Sequence, residues 1–159
     1  MKLAALSIGV SKAGNLAHLP GAIEGAKLFE AWARSRKYKT TYMVDDKKPL
    51  TVQQIAKAVE KIIQTSPDRL LIYFSGHGAQ ASANTAYWLL SDWENNSNEA
   101  INVSLSLSNA KRSGVSQIAV FADACRNTVP DVQSIGGQSI FPKKVMSNKL
   151  PQWDHFFAS

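Results

Sequence analysis

The sequence lacks most features that would mark a secreted, membrane-bound or modular protein. Its 159 residues hold a single cysteine, Cys125, so no internal disulfide can form, and a free thiol in a reducing, cytoplasmic compartment is expected. No apolar run approaches the length of a bilayer span, so no membrane association is expected. The opening MKLAALSIGV has no long apolar core, small-residue cleavage site or polar flank of a secretory signal, and it reads as a first strand. Neither repeats nor low-complexity segments interrupt the chain, which excludes a solenoid and argues against disorder. Charged residues make up only 19% of the chain against 45% hydrophobic, enough apolar material for one core and not two.

The net charge of +6 comes from 18 Lys and Arg against 12 Asp and Glu. A nucleic-acid partner is not expected, because the basic residues are scattered in turns such as KRSG at 111–114 and no aromatic residues interleave with them as a stacking platform requires. One cysteine and three dispersed histidines do not make a zinc site, so no metal ligands are expected. His18, in an early loop, and His155, in the tail, read as solvated groups.

Hydrophobic periodicity predicts alternating strands and helices. Leu3–Ile8, Lys39–Val44, Arg69–Phe74 and Gln117–Phe121 read as strands. Gly21–Ser35 reads as a helix with Ile23, Ala26, Leu28, Phe29 and Trp32 on its apolar face. Thr51 reads as the N-cap of a second helix, with Ile55, Val59, Ile62 and Ile63 at helical spacing before Ser66-Pro67 stops it. Residues 85–90 read as a short extended piece, and Ser104–Arg112 as a short helix ending before Gly114. The predicted fold is α/β: three layers, with a mostly parallel sheet flanked by helices on both faces.

In such sheets ligands bind beyond the carboxyl ends of the strands. His77, held between two glycines in LLIYFSGHGAQ, ends the third strand, and Cys125 in SQIAVFADAC ends the fourth. Two parallel strands joined by a crossover would deliver both side chains to one sheet edge. A thiol beside an imidazole suits nucleophilic catalysis, the imidazole taking the sulfur's proton and the thiolate attacking a carbonyl. The backbone N–H groups of Gly78 and Cys125 would then form an oxyanion hole. Either residue alone would say little, since lone cysteines are more often small buried hydrophobes. Their conjunction at strand ends carries the inference.

The stretches YFSGHG and VFADACRN resemble the histidine and cysteine motifs of the caspase and metacaspase superfamily, and LSIGV with LPGAIEGAKLFEAW resembles its first strand and helix. The resemblance covers most of residues 1–130. His77 precedes Cys125 by about 50 residues, the separation already known for caspases. Asp123 and Asn127 stand where caspases carry glutamine and glycine, which is similar to the metacaspase and bacterial orthocaspase side. The resemblance implies a cysteine endopeptidase in which Asp123 lines the first specificity pocket, so that peptides are cut after Arg or Lys. It also places a second pocket acid at a helix position that Gly25 fills here. Calcium activates some relatives through clustered aspartates. Asp92 matches one member of that cluster, while Ser108 and Asn109 stand near the positions of the others, so no cofactor is expected.

The resemblance implies a small subunit supplying the last strands after the cysteine. Residues 131–159 carry turn residues and little strand periodicity, so the catalytic domain is expected to span 1–130, followed by a linker, with the small-subunit region missing. A C-terminal segment or a partner chain would then complete the sheet along the exposed edge of the fourth strand. The basic PKK at 142–144 reads as a self-processing site of a zymogen. Relatives act in regulated cell death and antiviral defence. The alternative is a catalytically silent scaffold of the same fold.

Overall fold

The computed structural model describes residues 1–124, 134–144 and 151–157. The elements run β1 (Leu3–Gly9), α1 (Pro20–Ser35), β2 (Lys39–Val44), α2 (Val52–Gln64), β3 (Arg69–Gly76), β4 (Gly78–Ser82), β5 (Thr85–Leu89), β6 (Ala100–Asn102), α3 (Val103–Ala110), β7 (Gln117–Ala124) and β8 (Gln152–Phe157). Five strands form one parallel sheet in the order β2-β1-β3-β7-β8, and β4, β5 and β6 form a small antiparallel sheet. The α/β class read from the sequence is the class observed.

Alternation along the strands sorts the core into two layers. Leu6, Ile8, Leu70, Ile72, Phe74, Ile118 and Val120 face α2 and α3 in the larger cluster. Ala5, Leu71, Ala119 and Phe121 face α1 on the other side. Helix α2 enters through a capping box, Thr51 accepting from the Gln54 N–H at 3.2 Å and the Gln54 amide oxygen accepting from the Thr51 N–H at 3.0 Å. Its stripe of Val52, Ile55, Val59, Ile62 and Ile63 is buried, each side chain contributing about 1.5–3 kcal/mol.

Helix α1 keeps Ala26 and Phe29 of the expected face against the sheet but not Leu28 and Trp32. It packs through small residues, Ala22, Ala26 and Ala33, while Leu28 is 62% and Trp32 45% exposed. Small side chains let the helix backbone approach the sheet closely, which turns Leu28 and Trp32 outward.

The expectation that no core strand follows Cys125 is corrected. Strand β8 pairs in parallel with β7 from Gln117↔Gln152 to Ala122↔Phe157, so among the described residues β8, and not the fourth strand β7, is the edge strand on that side. Ile135, Ile140 and Phe141, from the stretch read as linker, are buried. His155, read as a solvated tail residue, lies in β8 opposite Val120. Strands β4 and β6 were not predicted either, being short and weakly patterned.

Candidate active site at the carboxyl edge of the sheet

Strands β3 and β7 run side by side in register from Arg69↔Gln117 to Gly76↔Ala124. The residues that directly follow this last pair in sequence are His77 and Cys125. Cys125 itself lies outside the described residues, as do Arg126 and Asn127. Gly76 is required where it stands, because it adopts a φ of +155° and a Cβ there would meet the Val10 carbonyl oxygen at 2.9 Å and the Phe74 ring at 3.0 Å. The glycine therefore lets β3 pack closely against the chain leaving β1.

His77 is half-buried, and its Nε2 lies 2.7 Å from the backbone carbonyl oxygen of Ala17. A carbonyl can only accept, so Nε2 carries a proton, which leaves Nδ1 as the nitrogen that can exchange one. The contact fixes both tautomer and ring orientation, which is what a general base needs.

The loop bearing Ala17 is itself anchored. Buried Asp45, just past β2, accepts from the Ser11 N–H at 2.8 Å, the Ser11 hydroxyl at 2.9 Å and the Lys12 N–H at 2.8 Å. Glu94 accepts from the Asn15 N–H at 3.1 Å, and the Leu19 N–H donates to the Ser11 carbonyl at 2.8 Å. Sequence reading passed over Asp45, whose only signal is an acid directly after a predicted strand, where ligand-facing loops begin.

The Gly78 amide has a defined direction. The Leu89 N–H donates to the His77 carbonyl at 2.9 Å, which makes His77 and Leu89 a hydrogen-bonded antiparallel pair. The next pair, Gly78↔Trp88, is then of the non-hydrogen-bonded kind, and the Gly78 N–H points away from β5.

Asp123 is exposed at the end of β7, beside its register partner Ser75 on β3. The Tyr73 hydroxyl donates to Asp123 Oδ2 at 3.4 Å. Burial pushes the Tyr73 phenol above its ordinary range; a hydrogen bond with Ser75 opposes that shift, and the Asp123 charge adds to it. Gly25 on α1 faces the same group, and a Cβ there would lie 2.7 Å from the Tyr73 oxygen and 3.6 Å from Ser75 Oγ. Tyr73 is the residue that sequence reading missed at this site, because within the apolar run of β3 it carries no local sign of a polar role.

The edge thus gathers His77, Gly78 and Asp123. His18 is exposed in the loop between β1 and α1, and His155 lies in β8, away from the strand ends that carry His77 and Asp123. Asp92 accepts from the Asn95 side-chain amide at 2.8 Å, while the Asn109 amide donates to Ser139 Oγ at 3.0 Å. Among the described residues no three or more His, Cys, Asp or Glu side chains are grouped to hold a metal ion. Nor, among them, is any helix long and apolar enough to cross a membrane.

The family described as caspase domain matches residues 2–158, essentially the whole chain. Among solved structures, the crystal structure of protein GSU0716 from Geobacter sulfurreducens is similar with a TM-score of 0.62 and 19% identity, over 81% of this chain and 52% of that one. At that identity the likeness speaks for the fold, and the chain spans about half the length of that protein. Comparison with curated proteins gives no match.

Proposed function

The chain belongs to the caspase-domain family, and from that premise we propose that it is a cysteine endopeptidase with Cys125 as nucleophile and His77 as general base, cutting after Arg or Lys. The observation that carries this reading is the β3–β7 register, whose last pair, Gly76↔Ala124, is followed in sequence by the imidazole and the only thiol. The Ala17 carbonyl supports it by holding the His77 ring with Nδ1 basic.

In this mechanism Nδ1 of His77 takes the Cys125 proton, and the thiolate adds to the scissile carbonyl carbon. The Gly78 and Cys125 amides stabilise the resulting oxyanion; loss of one such donor costs about a hundredfold or more in rate. The C–N bond then breaks as the imidazolium returns the proton to the departing amine. Water, deprotonated by His77, hydrolyses the thioester and restores the thiol, with the new carboxylate as product.

Asp123 would pair with the basic side chain of a substrate. Its exposure at the carboxyl edge supports that role. The outer edge of β8 would take a small-subunit segment or partner chain that completes the sheet, and exposed Lys143 and Lys144 would be the self-processing site. The expected setting is a cytoplasmic zymogen in regulated cell death or antiviral defence.

Hydrolysis of fluorogenic peptides ending in Arg or Lys, lost in Cys125→Ala, tests the reading. Silence from both this chain and a longer native form would favour the scaffold alternative. Mass spectrometry of active enzyme that finds no cut after Lys143 or Lys144 would remove the processing site.

A further inference from the structure

Tyr73 lies one turn of strand alternation before Ser75 and two before His77, so its side chain shares the α1 face of the sheet with Ser75, Phe121 and Asp123. Its ring is clamped. Phe29 of α1 stacks on it with centroids 4.8 Å apart and planes at 12°, and Phe29 in turn packs on Phe121 at 5.9 Å. The hydroxyl is thereby carried to a fixed point, 3.4 Å from Asp123 Oδ2. Gly25 leaves the room for it, since a Cβ there would come within 2.7 Å of the phenol oxygen.

We infer that Tyr73 is a specificity-determining residue of the Asp123 pocket: its hydroxyl fills the space above Gly25, giving the pocket one carboxylate and two hydroxyls and a preference for Arg over Lys. This rests on the proposed basic specificity and adds to it a residue and a direction. The chemistry follows from the shapes of the two cations. A guanidinium presents five N–H donors in a planar fork, which a single carboxylate accepts bidentately while neighbouring hydroxyl oxygens accept the remaining donors. An ammonium is a compact, strongly hydrated point charge, and its binding depends more on accumulated negative charge. With one carboxylate, Tyr73 and Ser75 supply directed acceptors rather than charge. Because burial and the Asp123 charge both raise the phenol's pKa, Tyr73 stays neutral through the working range of a cysteine peptidase.

The test measures binding in a Cys125→Ala background, which leaves peptides uncut, by calorimetry with matched peptides ending in Arg, Lys and the neutral isostere citrulline. kcat/KM is measured in parallel on the active enzyme. Expected is binding of the Arg peptide about tenfold tighter than the Lys peptide. Tyr73→Phe should narrow that ratio to about threefold or less through weaker Arg binding, and Asp123→Asn should remove the discrimination against citrulline. Gly25→Ala, which displaces the hydroxyl from the opposite side, should narrow the ratio in the same way and stands in should Tyr73→Phe fold poorly. A Tyr73→Phe ratio equal to the parent's, or an equal loss for both peptides, would overturn the role of Tyr73 while leaving the basic pocket standing. Citrulline bound as well as Arg by the parent would instead overturn the basic pocket, and the inference with it.

Discussion

The phenol oxygen of Tyr73 on β3 stands 2.7 Å from where a side-chain carbon on Gly25 of α1 would have to be. In the middle of a helix, glycine costs about 0.5–1 kcal/mol relative to alanine, so replacing it would ordinarily stabilise the fold. Here the sign should reverse. Gly25→Ala is expected to lower Tm, because Tyr73 must move against the stacked Phe29, whereas in a Tyr73→Phe background the same change should raise it. Thermal unfolding of the four proteins in this double-mutant cycle measures the coupling, which should reach about 1 kcal/mol. Additive effects would show that the two positions do not compete for space.

Asp45 holds the loop that presents the Ala17 carbonyl to His77. Asp45→Ala leaves the Ser11 and Lys12 donors without their acceptor, at a cost of about 2–4 kcal/mol in urea unfolding. Asp45→Asn keeps one acceptor oxygen and should lose roughly half as much. If Asp45 positions His77 through this loop, Asp45→Asn should also lower kcat with little change in KM. A pure loss of stability, with kcat intact below the melting range, would limit Asp45 to a structural role.

Much of this site was legible in the sequence. The apolar runs in β3 and β7 end abruptly at glycine and at the Asp-x-Cys motif, so the strand ends, and the residues next to them, could be read directly. The α2 stripe and its Thr51 cap were equally plain, because period and cap agree. Tyr73 and Gly25 were not legible together. Nothing local says that a tyrosine inside an apolar strand keeps its hydroxyl beside an exposed carboxylate at the sheet edge, or that a helix glycine 48 residues earlier makes the room. Strand β8 was hidden for another reason: Trp153, Asp154, His155 and Phe156 mix apolar and polar side chains, and pairing with β7, rather than local pattern, makes them a strand.

Glu30 joins α1 to β2. The Thr40 hydroxyl, at 2.7 Å, and then the Arg34 guanidinium hold its carboxyl below the ordinary range, with burial a smaller opposing influence. A carboxylate whose folded pKa is depressed contributes stability above its unfolded pKa and loses it as pH falls through the folded value. Wild type should therefore exceed Glu30→Gln in stability at neutral pH, with the gap closing below about pH 4. Urea unfolding at a series of pH values checks this; a gap independent of pH would assign the effect to packing.

Among the described residues, β8 pairs with β7 and with no other strand. Phe156 is 52% exposed, although its ring stacks on Phe121 at 5.0 Å. In the isolated chain, β8 amides should exchange with solvent faster than those of β3 and β7 in hydrogen-exchange mass spectrometry, and a segment or chain that completes the sheet should slow them. Exchange in β8 already as slow as in β3 would mean that its outer edge is covered without a partner.

The most direct test of the central claim is mass spectrometry of the protein after exposure to an irreversible peptide label that ends in Arg and carries a thiol-reactive group. The account predicts one label per chain, on Cys125, blocked by excess Arg peptide, much slowed in His77→Ala and absent in Cys125→Ala. Labelling of wild type and His77→Ala at the same rate would contradict it, because the imidazole would then have no part in activating the thiol.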